Sequence, residues 1–297
     1  MSVEKINPKF NHTYLSRKIY QFAQFSKFFI KKPIEFENIT KTKIKNITIL
    51  AAGRDLEMLE TSLKYIEAFI DYENVFLISP LKNHVQKNLN VKIIEDKEIL
   101  FDYEIEFFQS INESKSNRFF PVNWYLQQYL KLIHLNRLSL DNTFIIDSDT
   151  IPLSPPKIFH NSKIIVPYTH EYRPQYHDFL QRFVFKDLKI SKKNIHIAHY
   201  CFFESRILDL INHYFEKNGT NMFEILKNAC LKDHFFSEYE LYNQFILTSF
   251  PDQAIELYYN GINLPREAKY IENIDLAGLF DYASFHYWKE SKILPFY

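Results

Sequence analysis

Short apolar runs alternate with helix-period segments through the first half of the chain. Residues 46–51, 74–79 and 91–95 are brief β-branched and aliphatic runs that read as strands. Between the first two, Leu59, Leu63, Ile66 and Ile70 recur at helical spacing, behind Asp55 at the cap position and Glu57 in the first turn. Strand, helix and strand in this order predict a parallel βαβ unit. Pro121 opens a predicted helix over 122–135, which leads through a short loop into the apolar strand ending at Asp147. Residues 100–117 read as irregular and polar. A strand follows at 163–167, then a Tyr-, His- and Arg-rich region at 168–200, then helices at 204–217, 221–230 and 237–248. No internal repeat interrupts this order.

The strand before Asp147 ends unusually. Phe144, Ile145 and Ile146 are a buried-strand run, yet Asp147 and Asp149 close it one residue apart, and Pro152, Pro155 and Pro156 carry the chain away from the sheet. Side chains at i and i+2 share a face of extended backbone, so the two carboxylates can converge on one ion. Such a pair suits a hard cation, Mg²⁺ or Mn²⁺, which completes its shell with substrate phosphates. A solvated loop in which Asp149 caps a turn is the plain alternative.

Composition narrows how phosphate could be held. The chain has 297 residues, enough for one large α/β domain, but only four glycines: Gly53, Gly219, Gly261 and Gly278. No glycine-rich phosphate loop is present, so metal and cationic side chains must do that work. Trp124, Gln127, Gln128 and Lys131 share one stripe of the 122–135 helix. Facing a cleft, Lys131 would meet a phosphate or donor sugar; facing water, the stripe is ordinary helix surface. The two cysteines, Cys201 and Cys230, lack metal spacing and are too few for a disulfide framework, which suits a reducing cytoplasm.

Charge is balanced overall but uneven along the chain. Between Glu4 and Glu35 there are no acids and seven Lys or Arg, interleaved with Phe and Tyr. The stretch 5–32 predicts a basic aromatic helical extension that either lies on an anionic membrane surface or packs on the main domain. Nucleic-acid binding is disfavoured because the basic character stops there. No apolar run in the sequence reaches membrane-span length, so the expected location is cytoplasmic, either soluble or peripheral at the inner face of the membrane.

Taken together, the βαβ start at residue 46, the run from Phe144 through Asp147-Ser148-Asp149 to Leu153, and the acid-bearing helix downstream resemble the type A (GT-A) glycosyltransferases that use nucleotide-diphosphate sugars. The helix from Trp124 to Leu132 and the stretch Ser237 to Tyr242 resemble a bacterial group of such proteins. The resemblance covers residues 46–292. It implies an α/β fold of GT-A type, with a mainly parallel central sheet flanked by helices. It leaves the extension over 1–45 outside, and within the domain over 46–297 the order of elements predicts a nucleotide-binding half over 46–160 and a helical acceptor-side half over 161–297. It implies a metal bridging the donor diphosphate, with Asp149 as direct ligand and Asp147 as a metal or ribose contact. His286, followed six residues later by Lys292, matches the spacing of a family metal ligand and phosphate lysine, although Lys289 replaces the usual glycine and Ile293-Leu294 the usual Pro-Trp. Lys289 therefore shares or replaces the phosphate role. His286 is otherwise a hydrogen-bonded histidine beside Trp288.

Gly53, Arg54 and Asp55 stand where the family grips base and ribose, unless Asp55 only caps its helix. Glu238 is the first choice of general base for an inverting reaction and Glu240 the second, with inversion and retention both open. His170, His196 and His199 are further cleft candidates. The implied activity moves a sugar to a glycan or lipid-linked acceptor, in bacterial surface polysaccharide or lipooligosaccharide synthesis. Two alternatives compete: a haloacid-dehalogenase-type phosphatase using Asp147 and Asp149, and a nucleotide-sugar-binding module without turnover. The first expects a later Gly-Asp signature, which this chain lacks.

Overall fold

The computed structural model describes residues 41–80, 89–113, 118–170, 173–265 and 279–286. The predicted extension over 5–32 and the candidates Lys289 and Lys292 lie outside them. In chain order the elements are β1 (Thr42–Leu50), a 3-10 turn (Gly53–Asp55), α1 (Leu56–Phe69), β2 (Ile70–Ile78), β3 (Lys92–Ile94), α2 (Asp96–Ile99), α3 (Asp102–Glu113), α4 (Val122–Arg137), β4 (Asn142–Asp147) and β5 (Thr150–Pro152). There follow β6 (Phe159–His160), β7 (Lys163–Tyr168), α5 (Pro174–Phe179), β8 (Tyr200–Glu204), α6 (Ser205–Lys217), α7 (Met222–Leu231), α8 (Glu238–Ser249), β9 (Ala254–Tyr258), β10 (Gly261–Pro265) and β11 (Tyr282–His286).

The central sheet has the order β3-β2-β1-β4-β8. Strands β3, β2, β1 and β4 are parallel, and β8 closes the free edge of β4 antiparallel. The expected α/β class with a mainly parallel sheet is therefore observed. Its first strands run outward from β1 through β2 to β3, and the chain then returns to place β4 on the other side of β1. Such a reversal makes a topological switch point, and ligands of open α/β sheets bind outside the carboxyl ends of the strands there. Leu50 at the end of β1 is in register with Asp147 at the end of β4.

One apolar cluster packs α4, α6, α7 and α8 on one face of this sheet, and a second packs α1 on the other through Leu59, Leu63, Ile66 and Phe69. Both faces are covered, which is why β4 reads as a continuous apolar run.

Three expectations are corrected. Residues 100–117 are not irregular, since α3 occupies most of them. Ile105, Phe108 and Ile111 recur every third residue and pack on the core, and the buried Glu104 accepts from Phe101 N, Arg137 and Tyr129. The polar residues around that stripe masked it. The strand expected from residue 46 begins at Thr42. Finally, the second half is not simply helical: with β5 and β6 of the first half it builds two three-stranded sheets, β10-β11-β5 and β6-β7-β9, whose pairings other than the β6-β7 hairpin are distant in sequence and leave no local periodicity. No described helix is long and apolar enough to cross a membrane.

Candidate active site

The acidic pair lies at the carboxyl end of β4, in the crevice beside β1. Its loop is held from three directions. Ser62 of α1 donates to the Ser148 carbonyl at 2.9 Å, Phe285 N of β11 donates to the Asp149 carbonyl at 2.7 Å, and Thr150 and Ser284 share a hydroxyl contact of 2.6 Å. A surface loop capping its own turn would show none of these anchors, so the solvated-loop alternative fails.

Asp147 and Asp149 do not share one partner. Lys131 reaches up from α4 and donates to Asp147 Oδ1 at 2.5 Å and to Glu238 Oε1 at 2.6 Å. Tyr239 Oη donates to the same Asp147 oxygen at 3.0 Å, and His199 Nδ1 donates to Asp147 Oδ2 at 3.1 Å. Burial would raise the Asp147 pKa, but the charges and hydrogen bonds of Lys131 and His199 overcome it and hold the carboxyl well below its usual range. Burial likewise opposes the Lys131 ammonium, and the two carboxylates outweigh it, so its pKa is raised. Glu238 is pushed upward, first by burial and then by the nearby Asp147 charge, against the pull of Lys131. Its Oε2 is buried without a hydrogen-bond partner among the described residues.

The expected Lys131 stripe thus faces neither water nor an open phosphate site. Lys131 is 1% exposed and its ammonium is spent on two carboxylates.

Asp149 faces a different neighbour. His286 at the end of β11 brings Nδ1 to 3.2 Å from Asp149 Oδ2, and its Nε2 lies 3.1 Å from Asn263 Oδ1 of β10. The His286 and His199 rings are 5.1 Å apart, so both histidines border the space between the acids. His199 has φ of 57°, unusual for a residue with a Cβ, and its carbonyl also accepts from Asp147 N at 3.0 Å. Backbone and side chain of this strained residue both serve Asp147.

Among the described residues no group of three or more His, Cys, Asp or Glu side chains is arranged to hold a metal. The reason is local: both Asp147 oxygens already accept from Lys131, Tyr239 and His199. Asp149 with His286 remains, a carboxylate and an imidazole on the crevice side. The Asp149 carboxylate suits Mg²⁺ or Mn²⁺, ions bound by one or two protein carboxylates with the remaining positions left for phosphate and water, whereas His286 has Nδ1 on Asp149 and Nε2 facing Asn263 and would have to give up one of these contacts to join a cation.

The other candidates divide. Gly53, Arg54 and Asp55 directly follow the carboxyl end of β1, beside Asp147, with Gly53 in the left-handed region at φ 54°. Asp55 stands at the cap position of α1, but its side chain makes no capping bond. Glu240 is displaced from the site. Two residues beyond Glu238 on α8 it turns to another face, where it accepts from His177 Nε2 at 2.9 Å, Gln244 at 2.8 Å and His196 N at 2.6 Å. These donors turn its carboxylate away from Asp147 and Asp149, and His196 is held with it. Tyr239 and Asn263 were not legible as site residues, since their roles come only from what α8 and β10 pack against.

Two cavities lie elsewhere. One of about 600 Å³ is lined by Thr42, Lys43, Pro155, Pro156, Lys157 and Phe159, near the amino end of β1. The other, of about 260 Å³, lies at the start of α4. Neither contains the acids, whose position at the switch point is the stronger indication of a reaction centre.

No protein-family model matches the chain, and no curated protein matches it. Among solved structures it is similar to mouse xyloside xylosyltransferase 1 in its apo form, with 10% sequence identity and a TM-score of 0.44, over 82% of this chain and 97% of that one. At that level the likeness assigns neither a fold family nor an activity.

Proposed function

We propose that this protein is a glycosyltransferase that moves a sugar from a nucleotide-diphosphate donor to a glycan or lipid-linked acceptor. The observation that carries the reading is the pairing of Asp149 with His286, a residue brought from the far end of the chain to the switch-point crevice, next to a second acid already neutralised from below. A catalytic phosphatase nucleophile at Asp147 fits poorly, because both its oxygens are engaged by three donors. The resemblance of the Phe144 to Leu153 run to type A transferases supports the same choice.

In this reading Asp149 would hold the divalent cation, Mn²⁺ or Mg²⁺, with His286 joining it on releasing Asp149 or Asn263, and the ion would supply Lewis-acid stabilisation of the departing nucleoside diphosphate. Lys131, Tyr239 and His199 keep Asp147 ionised and oriented toward the donor. The loop Gly53–Asp55 takes the nucleoside, where glycine lets backbone approach closely. Glu238 is the acid proposed to accept the acceptor proton, sharing Lys131 with Asp147 and keeping Oε2 without a hydrogen-bond partner among the described residues. Lys289 and Lys292 follow His286 in sequence and are proposed to meet the diphosphate. Surface-glycan synthesis at the inner face of a bacterial membrane, reached through residues 5–32, is the proposed setting.

The test is a thermal-shift titration of nucleoside diphosphates with and without Mn²⁺, because a ligand of the folded state raises its apparent stability. One nucleotide is expected to stabilise the wild type only with Mn²⁺, and Asp149→Ala to lose that shift while unfolding normally. Vigorous release of phosphate from simple phosphomonoesters would overturn the transferase reading. Nucleotide binding without any release of nucleoside diphosphate from its sugar would leave only a binding module.

A further inference from the structure

The cavity at the start of α4 is lined by Ile111, Asn112, Arg118, Phe119, Pro121 and Asn123, with Val122 behind. Phe119 is the most exposed large apolar side chain among the described residues, at 69%. It is nonetheless firmly placed. Asp233 accepts from Phe119 N at 2.5 Å, from Phe120 N at 3.1 Å and from Tyr125 Oη at 3.2 Å, and Asp233 itself adopts φ of 54°. Asp233 is the left-handed residue that ends α7, and its carboxylate thus holds a segment that presents one ring to solvent. Behind it Phe120 stacks on Trp124 at 4.2 Å, and Phe235 contacts both Phe119 and Phe120, so these rings cover one another.

We propose that this ledge is a glycan subsite on the acceptor side of the reaction centre, a proposal that rests on the glycosyl-transfer reading. A pyranose offers an apolar face of C–H groups and a rim of hydroxyls. Phe119 suits the face, while the amides of Asn112 and Asn123 each offer donors and an acceptor to the rim. A protein partner would bury a patch of several hundred Å², whereas of the rings packed here Phe120 is buried and Trp124 and Phe235 are half-buried.

Position supports the same ligand. α4 is joined to β4 by a short loop and runs back against it, so its first turn lies at the carboxyl end of the sheet, where the acids are. From Val122 to Lys131 the helix rises about 13 Å, at 1.5 Å per residue. A second covalent path agrees: Asp233 precedes Glu238 by five residues through the loop that starts α8. An acceptor chain seated with one sugar on Phe119 would extend toward Glu238 and Asp147.

The chain has two tryptophans, Trp124 and Trp288, so Trp288→Phe leaves Trp124 as the sole indole reporter, next to the ledge. The probes are neutral di- to hexasaccharides of glucose, galactose and N-acetylglucosamine, titrated against the full chain. Saturable change of Trp124 fluorescence is expected with at least one series. Phe119→Ala should weaken it about tenfold, the loss of about 1.4 kcal/mol, Phe119→Tyr should retain it, and Asp149→Ala should leave it unchanged. No saturable change with any probe, or binding that Phe119→Ala does not weaken, would overturn the subsite. Failure of the glycosyl-transfer reading is read separately, as loss of the Mn²⁺-dependent nucleotide shift while oligosaccharide binding persists.

Discussion

Lys131 is the residue on which the candidate site depends most. Its ammonium lies between two carboxylates in a volume that excludes water, so removing it leaves Asp147 and Glu238 facing each other across a buried gap. Breaking a buried ion pair on one side costs about 3–5 kcal/mol, well above the loss of an exposed pair. Lys131→Met is therefore expected to lower the free energy of unfolding by about that amount in urea titration, and Lys131→Met with Glu238→Gln to recover part of it. Recovery would show that the cost is electrostatic, while equal loss in both would assign it to packing. The same residue illustrates a limit of sequence reading. Its stripe with Gln128 was visible, but whether the stripe met solvent, phosphate or acids depended on α8 arriving from more than a hundred positions away.

At the scale of elements, the pairing of β10 with β11 sets the height of His286. Gly261 lies in register with Tyr282, and a Cβ there would sit 2.1 Å from Tyr282 Cζ, a contact that no rotation of a methyl group relieves. Gly261→Ala must push the strands apart or swing the Tyr282 ring, which also lies against Tyr200 and His199. Overpacking of this kind costs about 1–3 kcal/mol. The expected outcome is a lowered unfolding midpoint together with weaker Mn²⁺ binding, measured by the paramagnetic signal of free ion. Unchanged affinity in a folded variant would detach β10 from the site. Ser237 gives a milder case: its hydroxyl accepts from Glu240 N at the start of α8, and Ser237→Ala is expected to cost about 1 kcal/mol in the same urea titration.

Across the whole molecule, the pH dependence of stability follows from buried charges away from the crevice. His196 lies between Glu240 and Glu256; burial opposes its charge, but the carboxylates prevail and raise its pKa to about 9. The folded state then holds a proton that the unfolded chain releases near its ordinary 6.5. This contribution is fully present below that value and is lost as pH rises toward 9. Glu240 behaves in reverse: burial would raise it, but His196 and His177 lower it to about 2, so its contribution is present above 4.5 and lost as pH falls toward 2. Stability from this network should be greatest between about pH 4.5 and 6.5. Glu240→Gln should flatten the decline on the alkaline side, measured by unfolding midpoints at a series of pH values. A decline unchanged by that substitution would place its origin elsewhere.

The sequence by itself determined the local elements and the chemistry at their ends. Apolar runs and helical periods marked β1, α1, α4, β4 and three later helices, because burial of one face or both imposes a period that any reader of the chain can see. The acids at the end of β4 were visible for the same reason, as an interruption of that pattern. Only the tertiary structure decided which partner each acid received. Lys131 and His199 went to Asp147, His286 to Asp149, and Glu240 turned away to His177 and His196. These pairings join residues far apart along the chain, and their geometry follows from sheet order and helix packing, which leave no mark on the spacing of neighbouring residues.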